Sequence, residues 1–252
     1  MTRTIKPTAS LLALALAALP SCASTASESG GEVQSVTYEV PQAYDVILEN
    51  GTPVKIATSG ELTYDGEPVT LSRVKEIFAE LRADEIERIA VLPAKDTGFA
   101  ELVSSISKIA TVSDYVFVEL ETHSKFKRAD TDDVAPKQFT GTLGEYEMPV
   151  LIGYSAAKQQ CAVSLGGGVV DSSGRRALSP EQLYDRSFIW LDTLVQGAGG
   201  VEAILQKTDA GRDIVARFQA PPDTPWHCIA GALYAVQRSG WPMIRFEVMQ
   251  QR

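Results

Sequence analysis

Asp96-Thr97-Gly98-Phe99 returns 127 residues later as Asp223-Thr224-Pro225-Trp226. Each tetrapeptide sets an acid, a threonine and a turn-forming residue in front of an aromatic, and each precedes an amphipathic run. Upstream, Leu71-Ser72 recurs as Leu178-Ser179 at an offset of 107, and Tyr38-Glu39-Val40-Pro41 recurs as Tyr146-Glu147-Met148-Pro149 at 108. Three matches in one order, with an offset that changes once, indicate a tandem duplication. The change predicts an insertion of about twenty residues in the second copy, and the Gly-rich, polar stretch 196–213 is its expected site. Solenoid repeats are shorter and more numerous. The expected organisation is therefore two domains, residues 35–122 and 144–252, joined by a polar, charged linker over 123–143.

Both copies repeat one order of elements. In the first, residues 45–48, 54–58 and 62–64 are short β-prone runs, with turns at Gly60 and Asp65-Gly66. Ser72 is the expected cap of a helix that sets Val74, Ile77, Phe78 and Leu81 on one face. A buried strand is predicted over 89–92. Asp96 or Thr97 is expected to cap a second helix facing Phe99, Leu102, Val103, Ile106 and Ile109 inward, and a strand over 115–120 closes the copy. In the second copy, strands over 161–165 and 169–170 flank Gly166-Gly167-Gly168. Ser179-Pro180 opens a helix with Leu183, Trp190, Leu191 and Leu194 inward. A strand over 214–218 leads to a helix started by Asp223-Thr224-Pro225, with Trp226, Ile229, Leu233 and Val236 inward, and 243–248 is the last strand. Strands interleaved with helices predict an α+β protein, each copy a small mixed sheet with two helices on one face.

The N-terminus reads as an address. Arg3 and Lys6 precede an unbroken Leu/Ala run over 11–19, which ends in Leu19-Pro20-Ser21-Cys22. A run this short does not cross a hydrocarbon core of ~30 Å, so residues 1–21 read as a signal peptide. Leu-Pro-Ser-Cys resembles a bacterial lipobox, which makes Cys22 the residue expected to be acylated. An ordinary secretory signal with Cys22 unmodified is the competing reading. Residues 22–34 are Ser-, Ala-, Gly- and Glu-rich, a flexible tether with a reach of roughly 20 Å. Acyl chains anchor by ~0.8 kcal/mol per buried CH₂. Ala23 stands where inner-membrane retention usually shows Asp, so the periplasmic side of the outer membrane is the expected location.

Composition excludes more than it names. Hydrophobic residues make up 44% and charged residues 22%, a globular balance. The net charge of −9 repels phosphate backbones, so nucleic acid is not an expected partner. Two histidines and three cysteines leave little for a metal site or histidine catalysis, and no cofactor is implied. Gly166-Gly167-Gly168 lacks the Lys-Ser/Thr of a phosphate cradle. His227 and Cys228 are neighbours on a helix and are not expected to face each other. His123 sits in a run with Lys125, Lys127 and Arg128 that reads as solvated. No catalytic residue is assigned. Cys161 and Cys228 are the remaining thiols of the mature folded region. An oxidising compartment permits a bridge between them, and two small buried apolar residues are the alternative.

The order of strand, hairpin, helix, strand, helix and strand resembles the periplasmic domain of the ExbD/TolR family. Thr37-Tyr38-Glu39-Val40-Pro41 is similar to the family's post-membrane segment, and Tyr64-Asp65-Gly66-Glu67-Pro68-Val69 to its hairpin end. Lys95-Asp96-Thr97-Gly98-Phe99 and Pro222-Asp223-Thr224-Pro225-Trp226 resemble the start of its second helix. The likeness covers 35–122 well and 144–250 more loosely. The family's transmembrane helix, with its proton-carrying acid, has no counterpart here. What the resemblance implies is a dimerising periplasmic domain that binds peptidoglycan or a TonB/Tol-type protein. It makes the strands around Tyr38 and Val40 and around Tyr146 and Met148 candidates for edge pairing with a partner. It also implies that the two copies pack as a pseudo-dimer within one chain, because a short linker holds them at ~mM effective concentration. The expected function is a non-enzymatic envelope lipoprotein, a periplasmic binding or scaffolding module. The alternative is an accessory part of a Tol/Ton-type energy-transduction and biopolymer transport complex.

Overall fold

The computed structural model describes residues 35–39, 51–82, 88–112, 116–118, 139–166, 177–208 and 211–249. The signal peptide, Cys22, the tether, Val40, the strands expected over 45–48 and 169–170, Gly167-Gly168 and the linker as far as residue 138 lie outside them. The described residues form an α+β protein with two mixed sheets. After β1 (Ser35–Glu39), the first repeat runs β2 (Gly51–Ile56), β3 (Leu62–Tyr64), β4 (Glu67–Pro68), α1 (Leu71–Arg82), β5 (Arg88–Pro93), α2 (Phe99–Ala110) and β6 (Val116–Val118). The second runs β7 (Glu147–Ser155), β8 (Gln160–Leu165), α3 (Pro180–Ala198), α4 (Val201–Lys207), β9 (Val215–Ala220), α5 (Trp226–Arg238) and β10 (Met243–Val248). The sheet orders are β4-β3-β2-β5-β6 and β8-β7-β9-β10-β1. Each repeat is a hairpin followed by two parallel crossovers through helices.

The repeat register sharpens. β5, α2 and β6 begin at Arg88, Phe99 and Val116, and β9, α5 and β10 begin 127 residues later in each case. Further upstream, two correspondences need correction. Gly51 pairs with Arg88 as Glu147 pairs with Val215, so Thr52-Pro53-Val54 is the counterpart of Met148-Pro149-Val150, at an offset of 96. Tyr38-Glu39 therefore does not correspond to Tyr146-Glu147. A four-residue match of strand-forming residues is too short to set register. The helix starts also shift. Arg73 N donates to Thr70 Oγ1 at 3.2 Å, so Thr70 caps α1 and Ser72 lies inside it. Its counterpart is Ser179, whose hydroxyl accepts from Gln182 N at 3.2 Å while Gln182 Oε1 accepts from Ser179 N at 2.9 Å, a complete capping box. The insertion falls where the offset change puts it, but it is helical. It lengthens α3 and adds α4, with the bend made at Gly199 and Gly200, φ +99° and +113°.

Burial follows the periodicities. Phe99, Leu102, Val103, Ile106 and Ile109 of α2 are fully buried, as are Ile229, Leu233 and Val236 of α5. Met148, Val150 and Ile152 of β7, Phe218 of β9 and Phe246 of β10 line the same core, which is continuous between the repeats. β7 lies between β9 and β8, paired on both sides. Met148, expected on a free edge, is thus 0% exposed in an interior strand and cannot accept a partner strand. β1 crosses over to pair antiparallel with β10, Tyr38 opposite Ile244, so residues 35–39 complete the second repeat's sheet and not the first's.

Candidate functional site at the junction of the repeats

The two tetrapeptides that reveal the duplication meet each other. Gly98 and Pro225, 127 residues apart, form an antiparallel bridge. Ala100 N donates to Pro222 O at 3.0 Å, and His227 N donates to Lys95 O at 3.1 Å. Exchanging the copies turns one bond into the other, which is the signature of an isologous, two-fold contact. Trp226 N adds a bond to Thr97 O at 2.8 Å. These amides belong to the first turns of α2 and α5, where a helix has no internal acceptor. Neither helix has a side-chain cap: Gly98 and Pro225 occupy the cap positions. Asp96 and Thr97, the expected caps of α2, therefore do not serve, because the other repeat supplies the acceptors. Thr97 instead donates its buried hydroxyl to the carbonyls of Ala57 and Ile56, at 3.3 and 3.4 Å. A Cβ at position 98 would stand 3.2 Å from the Pro222 carbonyl, so the close approach suits glycine. Beneath the bridge, the Phe99 ring meets Phe246 edge to face at 5.5 Å, and Phe246 meets Phe218 at 5.8 Å. Aromatic contacts of this kind add ~0.5–1.5 kcal/mol each beyond the area they bury.

Beside the junction, Cys161 of β8 and Cys228 of α5 are joined in a disulfide, with Cα atoms 5.5 Å apart. Both are buried. His227 lies against them: the ligand atoms of Cys161, His227 and Cys228 fall within 4.8 Å of one another. The expectation that adjacent helical residues diverge leaves out β8, whose Cys161 comes close to both. The His227 ring meets Tyr154 edge to face at 5.7 Å. Its Nδ1 is 3.3 Å from Lys95 O and 3.7 Å from Asp96 Oδ1. With the sulfurs bonded to each other, neither is the thiolate that a metal or an electrophile requires. The disulfide holds the start of α5, and with it the junction, onto the sheet.

A second polar cluster lies on the opposite face of the second sheet. Arg217 grips Glu247 through Nε and Nη2, at 3.0 and 2.9 Å, and reaches Glu147 Oε2 and Thr142 O through Nη1 at 2.8 and 2.7 Å. Gln219 donates to Glu247 at 2.8 Å and to Thr140 O at 2.7 Å, and accepts from Thr140 N at 2.9 Å. Arg245 adds a bond to Glu147 at 3.2 Å, and the Phe139 ring covers the Arg217 guanidinium at 4.7 Å. Burial works against the Arg217 charge, but the bonds and charges of Glu247 and Glu147 outweigh it and hold the guanidinium above its ordinary value. The end of the expected linker is thereby docked on the sheet. The signal for this cluster is in the sequence: Arg217-Phe218-Gln219 and Arg245-Phe246-Glu247 pair residue for residue, aromatics inward and polar groups outward.

Of the other expected site residues, Tyr38 stands in β1 and Tyr146 precedes β7, its carbonyl accepting from Val215 N at 3.2 Å. Burial and the neighbouring Glu145 raise the Tyr146 phenol above its ordinary value. No protein-family model, curated protein or solved structure matches the chain.

Proposed function

We propose that this chain is a non-enzymatic envelope lipoprotein, a periplasmic module that binds the cell wall and uses its two repeats as a dimer built into one polypeptide. The reciprocal pairing of residues 95–100 with 222–227 carries this reading. It supplies inside one chain the two-fold contact that the resembling ExbD/TolR domain makes between two. The Leu-Pro-Ser-Cys segment supports a lipid anchor at Cys22. The Cys161–Cys228 bond suits an oxidising compartment. Among the described residues, no single helix is long and apolar enough to cross a membrane.

The test has two parts. Cys22→Ala is expected to move the protein from the membrane fraction to the soluble periplasm, and a wild type that is already soluble there contradicts the anchor. The released protein is then expected to sediment with purified peptidoglycan sacculi. If it stays in the supernatant and instead co-purifies with a proton-channel membrane complex, the protein is an accessory of a Tol/Ton-type system.

A further inference from the structure

One corner of the molecule gathers more metal-ligating groups than the fold uses. The ligand atoms of Cys161, His227 and Cys228 lie within 4.8 Å of one another. Two elements supply them: β8 carries Cys161, and the first turn of α5 carries the other two. The first repeat has no such cluster among its described residues. At the offset of 127, His227-Cys228 answers to Ala100-Glu101, whose acid is exposed. The reciprocal junction bonds use backbone amides and are made by Ala100 as well as by His227, so they require neither an imidazole nor a sulfur.

We infer that Cys161 and Cys228 in their reduced form, with His227, are a site for a thiophilic divalent cation, zinc above all. A dithiol donor passes two electrons and two protons to the S–S bond and leaves as its own disulfide. The two thiols then part to nonbonded contact. In a tetrahedral zinc site, bonds of about 2.3 Å set two sulfurs about 3.8 Å apart. That spacing fits within the 4.8 Å that already encloses the three ligand atoms. The cation displaces both thiol protons, and two thiolates beside a neutral imidazole cancel its charge. Neutrality is needed here, because Cys161 and Cys228 are 1% and 0% exposed. Sulfur and imidazole select zinc-like ions over magnesium or calcium, which take oxygen ligands. The imidazole has the backing that ligating histidines use: its Nδ1 donates to Lys95 O at 3.3 Å, with Asp96 Oδ1 at 3.7 Å, which leaves the lone pair on Nε2. The His227 side chain is 28% exposed, so water reaches a fourth position on that side. Disulfide and metal are thus alternative closures of one loop, and each ties α5 to β8. The inference goes beyond cell-wall binding and does not rest on it.

Cobalt(II) is the probe, with the released Cys22→Ala protein, in which these two are the only cysteines. The protein is reduced with a phosphine, which leaves as its oxide, and is then freed of reagent under argon. It is expected to take up one Co²⁺ per chain, with visible d–d bands and a sulfur-to-cobalt charge-transfer band in the near ultraviolet, and zinc should bleach both. The oxidised protein should show neither. His227→Gln should weaken uptake at least about tenfold, and Cys161→Ala/Cys228→Ala should abolish the charge-transfer band. Reduction with zinc already present covers a metal-free thiol form that unfolds: its melting temperature should exceed that of protein reduced in chelator. Equal melting in zinc and in chelator, no sulfur-to-cobalt band after reduction, or an unchanged spectrum and affinity in His227→Gln would overturn the inference. Sacculus binding by the oxidised protein is a separate readout, so failure here leaves the proposed function standing.

Discussion

Reducing the Cys161–Cys228 disulfide is expected to cost about 4 kcal/mol of stability. The bond closes a loop with a sequence separation of 67 residues. On the chain-entropy model, a loop of that length restricts the unfolded ensemble by roughly this amount at 25 °C. The two ends also belong to elements that local sequence does not bring together: β8 is the last strand of its sheet in the order of pairing, and α5 packs over it. Urea unfolding with and without reductant measures the loss, and Cys161→Ala/Cys228→Ala should reproduce it. A midpoint unchanged by reduction would show that packing alone fixes this corner. The stakes exceed stability, because Cys228 follows Trp226 and His227, whose amides bond to the first repeat. Reduction should therefore loosen the junction before it unfolds either sheet.

Arg217→Met is expected to destabilise by about 3–5 kcal/mol, the usual consequence of stranding buried charges. Side-chain exposure is 11% for Arg217, 12% for Glu147 and 6% for Glu247, so water does not replace the lost partner. Arg73→Ala makes the contrast. Its carboxylate partners are 63% and 64% exposed, and its loss should leave the unfolding midpoint close to that of wild type. The direction of the Arg217 shift also sets a pH dependence. A cation whose folded value is raised contributes its stability fully below the unfolded value and loses it as pH rises through the folded one. Both values lie far above neutrality, so the difference between Arg217→Met and wild type on account of this guanidinium should not vary near neutral pH. Adding Glu147→Gln and Glu247→Gln should recover part of the loss, since the orphaned charges are then gone. Thermal or chemical denaturation of the four proteins decides it, and an Arg217→Met variant within about 1 kcal/mol of wild type would mean the cluster is solvated.

Local periodicity accounts for the elements, and long-range pairing for what the chain alone does not disclose. The spacing of Phe99, Leu102, Val103, Ile106 and Ile109 specifies one buried face of α2, and all five are fully buried. The last strand, 243–248, has the bounds its apolar run suggests. The tetrapeptide repeat at Asp96 and Asp223 likewise marks the right register for everything downstream of β5. The partner of β1 is another matter. β10 lies at the far end of the chain, and nothing in Ser35–Glu39 names it. Helix caps failed as a local rule at α2 and α5 for the same reason, because their acceptors come from the other copy. Cys161 and Cys228 are adjacent only once the sheet order places β8 under α5.

The central claim is that the repeats join through exchanged helix caps, and amide hydrogen exchange at Ala100, Trp226 and His227 tests it most directly. First-turn amides of a helix normally lack an acceptor in their own helix and exchange quickly. Here each bonds to a carbonyl of the other repeat, at 3.0, 2.8 and 3.1 Å. They should exchange as slowly as the amides of β9, through global opening only. Fast exchange at these three positions, with β9 still protected, would mean two independent domains on a linker and would contradict the account.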